Sequence, residues 1–163
     1  MRNMTQPIAF LESVRHTGRL CFAEATRAAN RAINGFYNER LAAADINIAQ
    51  FSLLVRLYYR PDIPLNQLAH ELQTDRTTLS RNLRVLQRSG HLHIGAGEDR
   101  RKRVAGLTEK GRASLEQALP LWQRAQAELR EKLGDHDWDN LFAGLHGLAR
   151  LPARHAQARK KRG

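Results

Sequence analysis

The sequence predicts a mainly α-helical fold that contains one small β-hairpin. Apolar residues recur every three or four positions over most of the 163 residues, as they do on one face of an amphipathic helix. Only around residues 92–107 does the pattern change to alternation, which is typical of strands. The hydrophobic content of 42% fits a folded protein, and the aromatic content of 6% indicates a core made mainly of Leu, Ala, Val and Ile.

Two helices open the predicted fold. The first extends from about Gly18 to Leu41 and carries an alanine-rich stripe, which permits another helix to approach closely. The second extends from about Ile48 to Tyr59 and ends before Pro61, because a proline disfavours helical geometry in the residue that precedes it.

Two shorter helices with a tight turn between them come next. Pro64 suits the first turn of the first short helix. Residues 73–75 form the turn, and Thr74 or Asp75 is expected to cap the second short helix. Gly90 is well placed to end that helix. Its inward-facing residues are predicted to be Leu79, Leu83 and Leu86.

A hairpin and two closing helices complete the chain. Residues 92–94 alternate, and residues 104–107 can return as the paired strand, with the charged residues 98–103 as the tip. A long helix over residues 109–133 follows, with Thr108 as its expected N-cap. The last helix begins near Asp135 or Asp137.

The net charge of +11 is concentrated in two segments. Residues 75–103 hold eight lysines or arginines against three acids, and residues 150–163 hold six with no acid. The remainder of the chain is close to neutral. Such a concentration indicates a surface that binds a polyanion, and duplex DNA is the commonest target. A basic surface that only keeps the protein in solution is the alternative.

The second short helix has the properties of a DNA-recognition helix. With its leucines facing inward, the opposite face presents short hydroxyl side chains and arginines. Short side chains let a helix approach the duplex, hydroxyls reach phosphates or base edges, and an arginine can form two hydrogen bonds with guanine. The residues predicted to contact DNA from this helix are Arg76, Thr77, Thr78, Ser80, Arg81 and Arg84.

The hairpin tip supports the same interpretation. Four consecutive cations, residues 100–103, would repel one another on an isolated loop, whereas a minor groove surrounds them with negative potential. Asp99 is expected to pair with a nearby arginine and to stiffen the tip. The tip residues predicted to bind DNA are Asp99, Arg100, Arg101 and Arg103. Helix, turn, basic helix and basic hairpin, in this order, predict a winged helix-turn-helix domain.

Other classes of function have less support. We find no glycine loop for phosphates, no nucleophile beside a base and no isolated carboxylate pair, so neither an enzyme nor a cofactor is expected. No stretch approaches the roughly 18 apolar residues of a membrane span, and the chain start lacks a signal-peptide pattern. A single cysteine cannot form an internal disulfide, which suits a reducing cytoplasm.

The residues raise two further possibilities, a metal site and a nonspecific DNA-binding protein. His91 and His93 lack the additional ligands of a metal site, so no metal is expected, and both are predicted to be neutral surface side chains or contacts to the DNA backbone. A nonspecific architectural DNA-binding protein is the alternative from another class. Short polar side chains such as Thr77 favour sequence-specific binding, because binding to phosphates alone would favour lysine.

Residues 75–92 and 98–112 resemble the recognition helix and wing of the MarR family of winged-helix regulators. The most specific match is Asp99-Arg100-Arg101 followed by the Leu-Thr-x-x-Gly pattern of Leu107–Gly111. The resemblance covers about residues 15–150. It implies a bacterial transcription factor whose terminal helices interlock in a homodimer. It also implies that Asp99 and Arg101 form the wing pair and that Arg101 reaches the minor groove.

On this interpretation the whole chain, residues 1–163, is a single MarR-type domain. Its parts are dimerisation helices at about residues 8–45 and 109–157, the winged helix-turn-helix at about residues 46–108, and a basic tail at residues 158–163. Large apolar side chains on the outer helices support the dimer independently, because the small winged domain cannot cover them. A two-fold dimer sets two recognition helices about 34 Å apart, which predicts a palindromic operator.

The resemblance further implies a repressor that a signal releases from DNA. A small aromatic carboxylate or phenol is the first candidate signal, bound where the first, second and fifth helices meet the winged domain. Tyrosine rings there could stack on the ligand, and basic side chains could hold a carboxylate. Packing of the tyrosines and solvation of the arginines are the alternatives. The candidate residues are Arg15, His16, Arg19, Arg40, Tyr58 and Tyr59.

Oxidation of Cys21 is the second candidate signal. Residues 20–23 resemble the first helix of the organic-hydroperoxide-sensing branch of the family, in which this cysteine is the sensor. The tyrosines expected in that branch are replaced by Ala25 and Gly35, and apolar neighbours oppose thiolate formation. Packing in the core is therefore the alternative role of Cys21.

Overall fold

The computed structural model describes residues 10–15, 17, 21–97 and 102–151. Within them the chain is mainly helical with one small antiparallel sheet, as the sequence predicts. Residues 10–15 are helical. The elements that follow are α1 (Phe22–Leu41), a 3-10 turn (Ala42–Ala44), α2 (Ile48–Tyr59), β1 (Ile63–Pro64), α3 (Leu65–Glu71), α4 (Arg76–Arg88), β2 (Leu92–Ala96), β3 (Arg103–Leu107), α5 (Glu109–Leu133) and α6 (Asp135–Ala149).

The chain divides into two compact units, Met1–Trp122 and Gln123–Gly163. The core of the first unit is formed around α2, which packs against α1, α4 and β3. Leucines dominate this core, as expected from the low aromatic content. The largest side chains that are fully buried are Leu41, Leu53, Leu54, Leu57, Leu68 and Leu86.

A reciprocal cap fixes the start of α2. The side-chain oxygen of Asn47 accepts a hydrogen bond from the amide of Gln50 at 2.9 Å, and the side-chain oxygen of Gln50 accepts one from the amide of Asn47 at 2.9 Å. These bonds satisfy two amides that have no partner inside the helix. The helix ends at Tyr59, as the position of Pro61 predicts.

The three-stranded sheet has the order β1-β3-β2, with both pairs antiparallel. The sequence predicts β2 and β3 but misses β1, whose Pro64 pairs with Val104. Pro64 has φ −59° and ψ 135°, so it precedes α3 instead of lying in its first turn. The prediction for Pro64 was wrong because the proline ring fixes only φ, and both conformations share that value.

The predicted helix start near Gly18 also differs from the structure. Cys21 has an extended backbone, with φ −70° and ψ 103°, and acts as the N-cap of α1, which begins at Phe22. By contrast, α5 has the predicted bounds and α6 begins at Asp135. Thr108 caps α5, since its hydroxyl oxygen accepts a hydrogen bond from the amide of Gly111 at 3.1 Å.

The second unit, as far as it is described, contains the C-terminal part of α5 and all of α6. The guanidinium of Arg130 donates to Asp135 at 2.6 Å and joins the two helices across Gly134. No residue of α6 is buried, and Leu141, Phe142 and Leu145 are each 43% exposed. An amphipathic helix with no buried residue has an apolar face left open to a partner. In the described part of the chain, no helix has the length and apolar character needed to cross a membrane.

Gly111 marks a close backbone approach within the first unit. A Cβ atom added at this position would overlap the backbone carbonyl of His91. Gly111 lies in the first turn of α5, whereas His91 lies just beyond the end of α4. The glycine of the Leu-Thr-x-x-Gly pattern is therefore required for contact between these helices.

We expect Gly111→Ala to lower the free energy of unfolding by more than about 2 kcal/mol, because backbone must move to admit the methyl group. Gly95→Ala is the matched control. No atom lies within 4 Å of an added Cβ there, and alanine in a strand is preferred to glycine by about 0.5–1 kcal/mol. Urea unfolding followed by circular dichroism measures both. Equal stability of the two variants would contradict the close approach.

Candidate nucleic-acid interface

Asp75 fixes the start of α4, the helix predicted to read DNA. Its carboxylate accepts hydrogen bonds from the amides of Thr77 and Thr78, each at 2.9 Å, and from the Thr78 hydroxyl at 2.6 Å. The bond from the Thr78 hydroxyl is the largest cause that lowers the pKa of Asp75 below its ordinary value, followed by that from the Thr78 amide. Of the two caps that the sequence allows, Asp75 is the one formed.

The inward side of α4 is the one predicted. Leu79, Leu83 and Leu86 are buried, with 5% exposure or less. Gly90 has φ +76°, the left-handed conformation that follows many helix ends. The packing of three leucines and the cap at Asp75 together set which side chains face outward.

Five predicted DNA contacts come together on the outer face of α4. They line one shallow groove along the helix, and every one is exposed. These five residues, called the reading face below, are Arg76, Thr77, Ser80, Arg81 and Arg84. Thr78 is also exposed but does not line this groove, and its hydroxyl donates a hydrogen bond to Asp75. The direct contact predicted for Thr78 stays a prediction.

The charge of α4 is not neutralised within the described part of the protein. The helix contains no acid, and none of its arginines forms an ion pair with a described residue. The situation differs at the end of α2, where Arg56 and Arg60 lie 3.5 and 3.2 Å from the carboxylate of Glu71. The outer face of α4 therefore keeps the positive potential that a polyanion requires.

The ends of β2 and β3 form the base of the wing. The amide of Gly97 donates to the carbonyl of Lys102 at 2.9 Å and closes the described end of the hairpin. Arg103 is exposed and lies opposite Ala96. The other predicted tip contacts, Asp99, Arg100 and Arg101, lie outside the described residues, so their roles stay predictions.

The prediction that His91 and His93 are both surface side chains was wrong for His91. His91 precedes β2 and is buried at 8% exposure, with Nδ1 2.6 Å from the hydroxyl of Ser89. Burial is the larger cause that lowers the pKa of His91, and the charge of Lys110 adds to it. His93 is exposed, with Nε2 3.5 Å from Asp62. No group of metal-ligating side chains forms among the described residues.

The residues predicted to hold an effector have different surroundings. Tyr58 and Tyr59 are 50% and 73% exposed, with their rings edge to face at 5.8 Å, so they are not part of the core of this chain. The guanidinium of Arg40 lies 3.5 Å from the centre of the Phe36 ring and donates to the Phe36 carbonyl. Arg15 is exposed, and His16 and Arg19 lie outside the described residues.

The structure contains a second groove that the sequence did not predict. The rings of Phe51 and Trp122 stack at its apolar end, with centroids 5.7 Å apart and planes at 22°. At its polar end Oε2 of Glu71 is buried and accepts no hydrogen bond from the described residues, and Nη1 of Arg56 lies 3.5 Å away. The lining residues of this aromatic groove are Phe51, Ser52, Val55, Arg56, Glu71, Leu72, Gln73 and Trp122.

Cys21 lies at the start of α1 and is half-buried. It is therefore not one of the buried core residues, although packing in the core was one of its two predicted roles. Its redox role stays a prediction.

Comparison with known proteins identifies similar sequences and structures. A model of the MarR family matches residues 46–102, which run from the turn before α2 to the base of the wing. An uncharacterised HTH-type transcriptional regulator of Bacillus cereus is 31% identical over 103 residues, which cover 63% of this chain and 68% of the relative.

Two solved structures with DNA share the fold. The M. tuberculosis transcriptional regulator MosR in complex with DNA is 35% identical, with a TM-score of 0.72, and the match covers 79% of this chain and 93% of that chain. The transcriptional repressor CouR bound to a 23-mer DNA duplex is 29% identical, with a TM-score of 0.72, over 82% of this chain and 97% of that chain. Both similarities extend well beyond the segment matched by the family model.

Proposed function

This chain belongs to the MarR family of DNA-binding transcriptional regulators, and from that premise we propose that it is a homodimeric repressor of a palindromic operator, released by a small aromatic acid or phenol. It is a regulator and not an enzyme, as its relatives are. The observation that carries the proposal is the reading face, where exposed arginines that pair with no acid of the described residues flank short hydroxyl side chains.

The composition of the reading face supports recognition of bases as well as phosphates. Thr77 and Ser80 are short enough to let α4 enter the major groove, whose base edges carry a distinct pattern for each pair. Arg81 lies beside them in the same groove, within the turns of α4 that a recognition helix inserts first. A protein that only coats DNA needs cations alone, so the hydroxyls favour a specific operator over architectural binding.

The exposed apolar faces of the outer helices support a homodimer. Phe22 of α1 is 64% exposed, and Leu141, Phe142 and Leu145 of α6 are each 43% exposed. Burying such side chains against a second copy contributes about 25 cal/mol for each Å² of apolar surface. A two-fold dimer presents two reading faces and thus requires two half-sites about one helical turn apart.

Repression fits a dimer of this kind. A regulator that occupies its operator without a ligand blocks transcription physically, and CouR, which is 29% identical, is described as a repressor bound to a DNA duplex. Release then requires a ligand that binds the DNA-free conformation more tightly than the DNA-bound one.

The aromatic groove is the place that we propose for the effector. A planar ring fits against Phe51 and Trp122, a phenol hydroxyl can donate to the carboxylate of Glu71, and a carboxylate can accept from Arg56. Gln73 also lines this groove and belongs to the turn that leads into α4. A ligand in the groove therefore contacts the segment that orients the reading face. Tyr58, Tyr59 and Arg40 remain candidates for a separate ligand contact.

Oxidation of Cys21 is the alternative signal. The half-buried position of this thiol leaves part of it accessible, which an oxidant requires. The aromatic groove favours the ligand, because it combines a flat apolar surface with both a donor and an acceptor. Oxidation would be favoured instead if peroxide abolished operator binding by the wild-type protein but left operator binding by Cys21→Ser unchanged.

We expect Arg81→Ala to weaken operator binding by about 1–3 kcal/mol, or roughly 5- to 150-fold, and binding to random duplex by much less, because a base contact contributes only at the correct sequence. Fluorescence anisotropy with both duplexes at one salt concentration measures this. Arg60→Ala is the control, since Arg60 is also exposed but is paired with Glu71. Equal losses on operator and random duplex would show that Arg81 binds only phosphate.

We expect Phe142→Asp to shift the protein from dimer to monomer and to abolish tight operator binding, because a charge in an apolar interface is costly to bury. Sedimentation velocity at micromolar concentration measures the mass. Asp139→Asn, a change on the same helix that removes a charge from an already polar position, is expected to leave the dimer intact. A monomeric wild-type protein bound to one asymmetric half-site would contradict the proposal.

For the effector, we expect hydroxybenzoates to quench Trp122 emission and to release the operator. Trp138→Phe makes Trp122 the only tryptophan, so that the signal reports the groove. Arg56→Gln should weaken both effects at least about fivefold, through loss of a charged hydrogen bond. Arg60→Gln should not, because Arg60 shares Glu71 but does not line the groove. Release of operator without quenching would place the ligand elsewhere.

A further inference from the structure

The first turn of α5 holds the end of α4 through three consecutive carbonyls. The ammonium of Lys110 donates to the carbonyl of Ser89 at 2.7 Å. The hydroxyl of Thr108 donates to the carbonyl of Gly90 at 2.6 Å, and the amide of Thr108 donates to the carbonyl of His91 at 3.2 Å. These bonds join residues 17 to 21 positions apart and form a joint between the two helices.

The three carbonyls belong to residues 89–91, which directly follow α4, so no amide of that helix can reach them. A cation near the end of a helix is also favoured by the helix dipole. Thr108 acts on both helices at once, because its hydroxyl donates to Gly90 while its oxygen accepts from the amide of Gly111. The joint thus combines the C-terminal cap of α4 with the N-terminal cap of α5.

Two further contacts leave the joint little freedom. Gly111 leaves no room for a side chain against the carbonyl of His91. His91 itself is buried, and its Nδ1 lies 2.6 Å from the hydroxyl of Ser89. Burial and the charge of Lys110 both lower the pKa of His91, against the opposing charge of Asp45, and so favour a neutral ring. Residues 89–91 are therefore fixed by contacts to their side chains as well as by hydrogen bonds to their backbone carbonyls.

We propose that Lys110 and Thr108 are positioning residues that fix the angle of the reading face relative to the first turn of α5 and that neither binds DNA. This inference rests on the proposed function, because a fixed angle matters only if α4 reads a duplex and α5 belongs to the part that dimerises. A motion of the first turn of α5 then passes to α4 through hydrogen bonds, without an intervening loop.

Lys110→Met removes the donor and keeps the length of the side chain, and Lys110 is exposed, so the fold is expected to persist. The probe is a fluorescent duplex from the promoter region of the protein's own gene. Its binding is measured by anisotropy at salt concentrations from roughly 50 to 300 mM, a range that includes physiological ionic strength. We expect affinity to fall about tenfold with no change in the slope of log K against log salt. Lys110→Arg, which keeps a cationic donor, should stay within about threefold of wild type.

The salt slope separates this proposal from its rival. If Lys110 neutralised a phosphate, its loss would reduce the slope by about one, and that result would overturn the proposal. Unchanged affinity would overturn it as well. Lys132→Met is the matched control, since Lys132 lies on the same helix and pairs with Glu128 at 3.5 Å. It should leave both affinity and slope unchanged.

Hydrogen exchange of the free full-length protein tests the joint without DNA. Lys110→Met and Thr108→Val should speed exchange in residues 89–92, whereas Thr108→Ser, which retains both hydroxyl bonds, should not. If exchange rates in residues 89–92 were unchanged in Lys110→Met and Thr108→Val, the proposed role of the joint would be wrong even if these variants lost DNA binding. If the wild-type protein bound no duplex while the exchange results held, the proposed function would fail and the joint would stand.

Discussion

The burial of three leucines on one side of α4 is the interaction on which the interface depends. Leu79, Leu83 and Leu86 pack into a core formed around α2, and each contributes roughly 1.5–3 kcal/mol when fully buried. Because an α-helix has 3.6 residues per turn, fixing these three positions also fixes the opposite side. The arginines and hydroxyls of the reading face thus face solvent as a consequence of the core.

The ends of α4 add what hydrophobic packing cannot supply. Apolar contacts are not directional, so they permit a helix to slide or rotate by a small amount. The carboxylate of Asp75 holds the first turn through two amides and one hydroxyl, and the first turn of α5 holds the carbonyls beyond the last turn. Hydrogen bonds at both ends therefore define a position that the leucines define only approximately.

The distribution of ion pairs separates arginines that join two helices from the arginines of α4, which have no acidic partner among the described residues. Arg56 and Arg60 share the carboxylate of Glu71 and help to hold α2 against α3. The arginines of α4 have no acid on their own helix. A net charge of +11 does not reveal this difference, because it counts paired and unpaired cations alike.

Periodicity and capping chemistry determined most of the fold from the sequence alone. The inward leucines of α4, a cap at either Thr74 or Asp75, the bounds of α5 and the two hairpin strands all follow from local rules that act within a few residues. Tertiary packing alone decided the rest. Four features join residues that are distant in sequence. They are the burial of His91, the pairing of Pro64 with Val104, the aromatic groove between Phe51 and Glu71, and the hydrogen bonds from α5 to the end of α4. A pattern that repeats along the chain reports which side of an element is apolar, but it does not report which element that side meets.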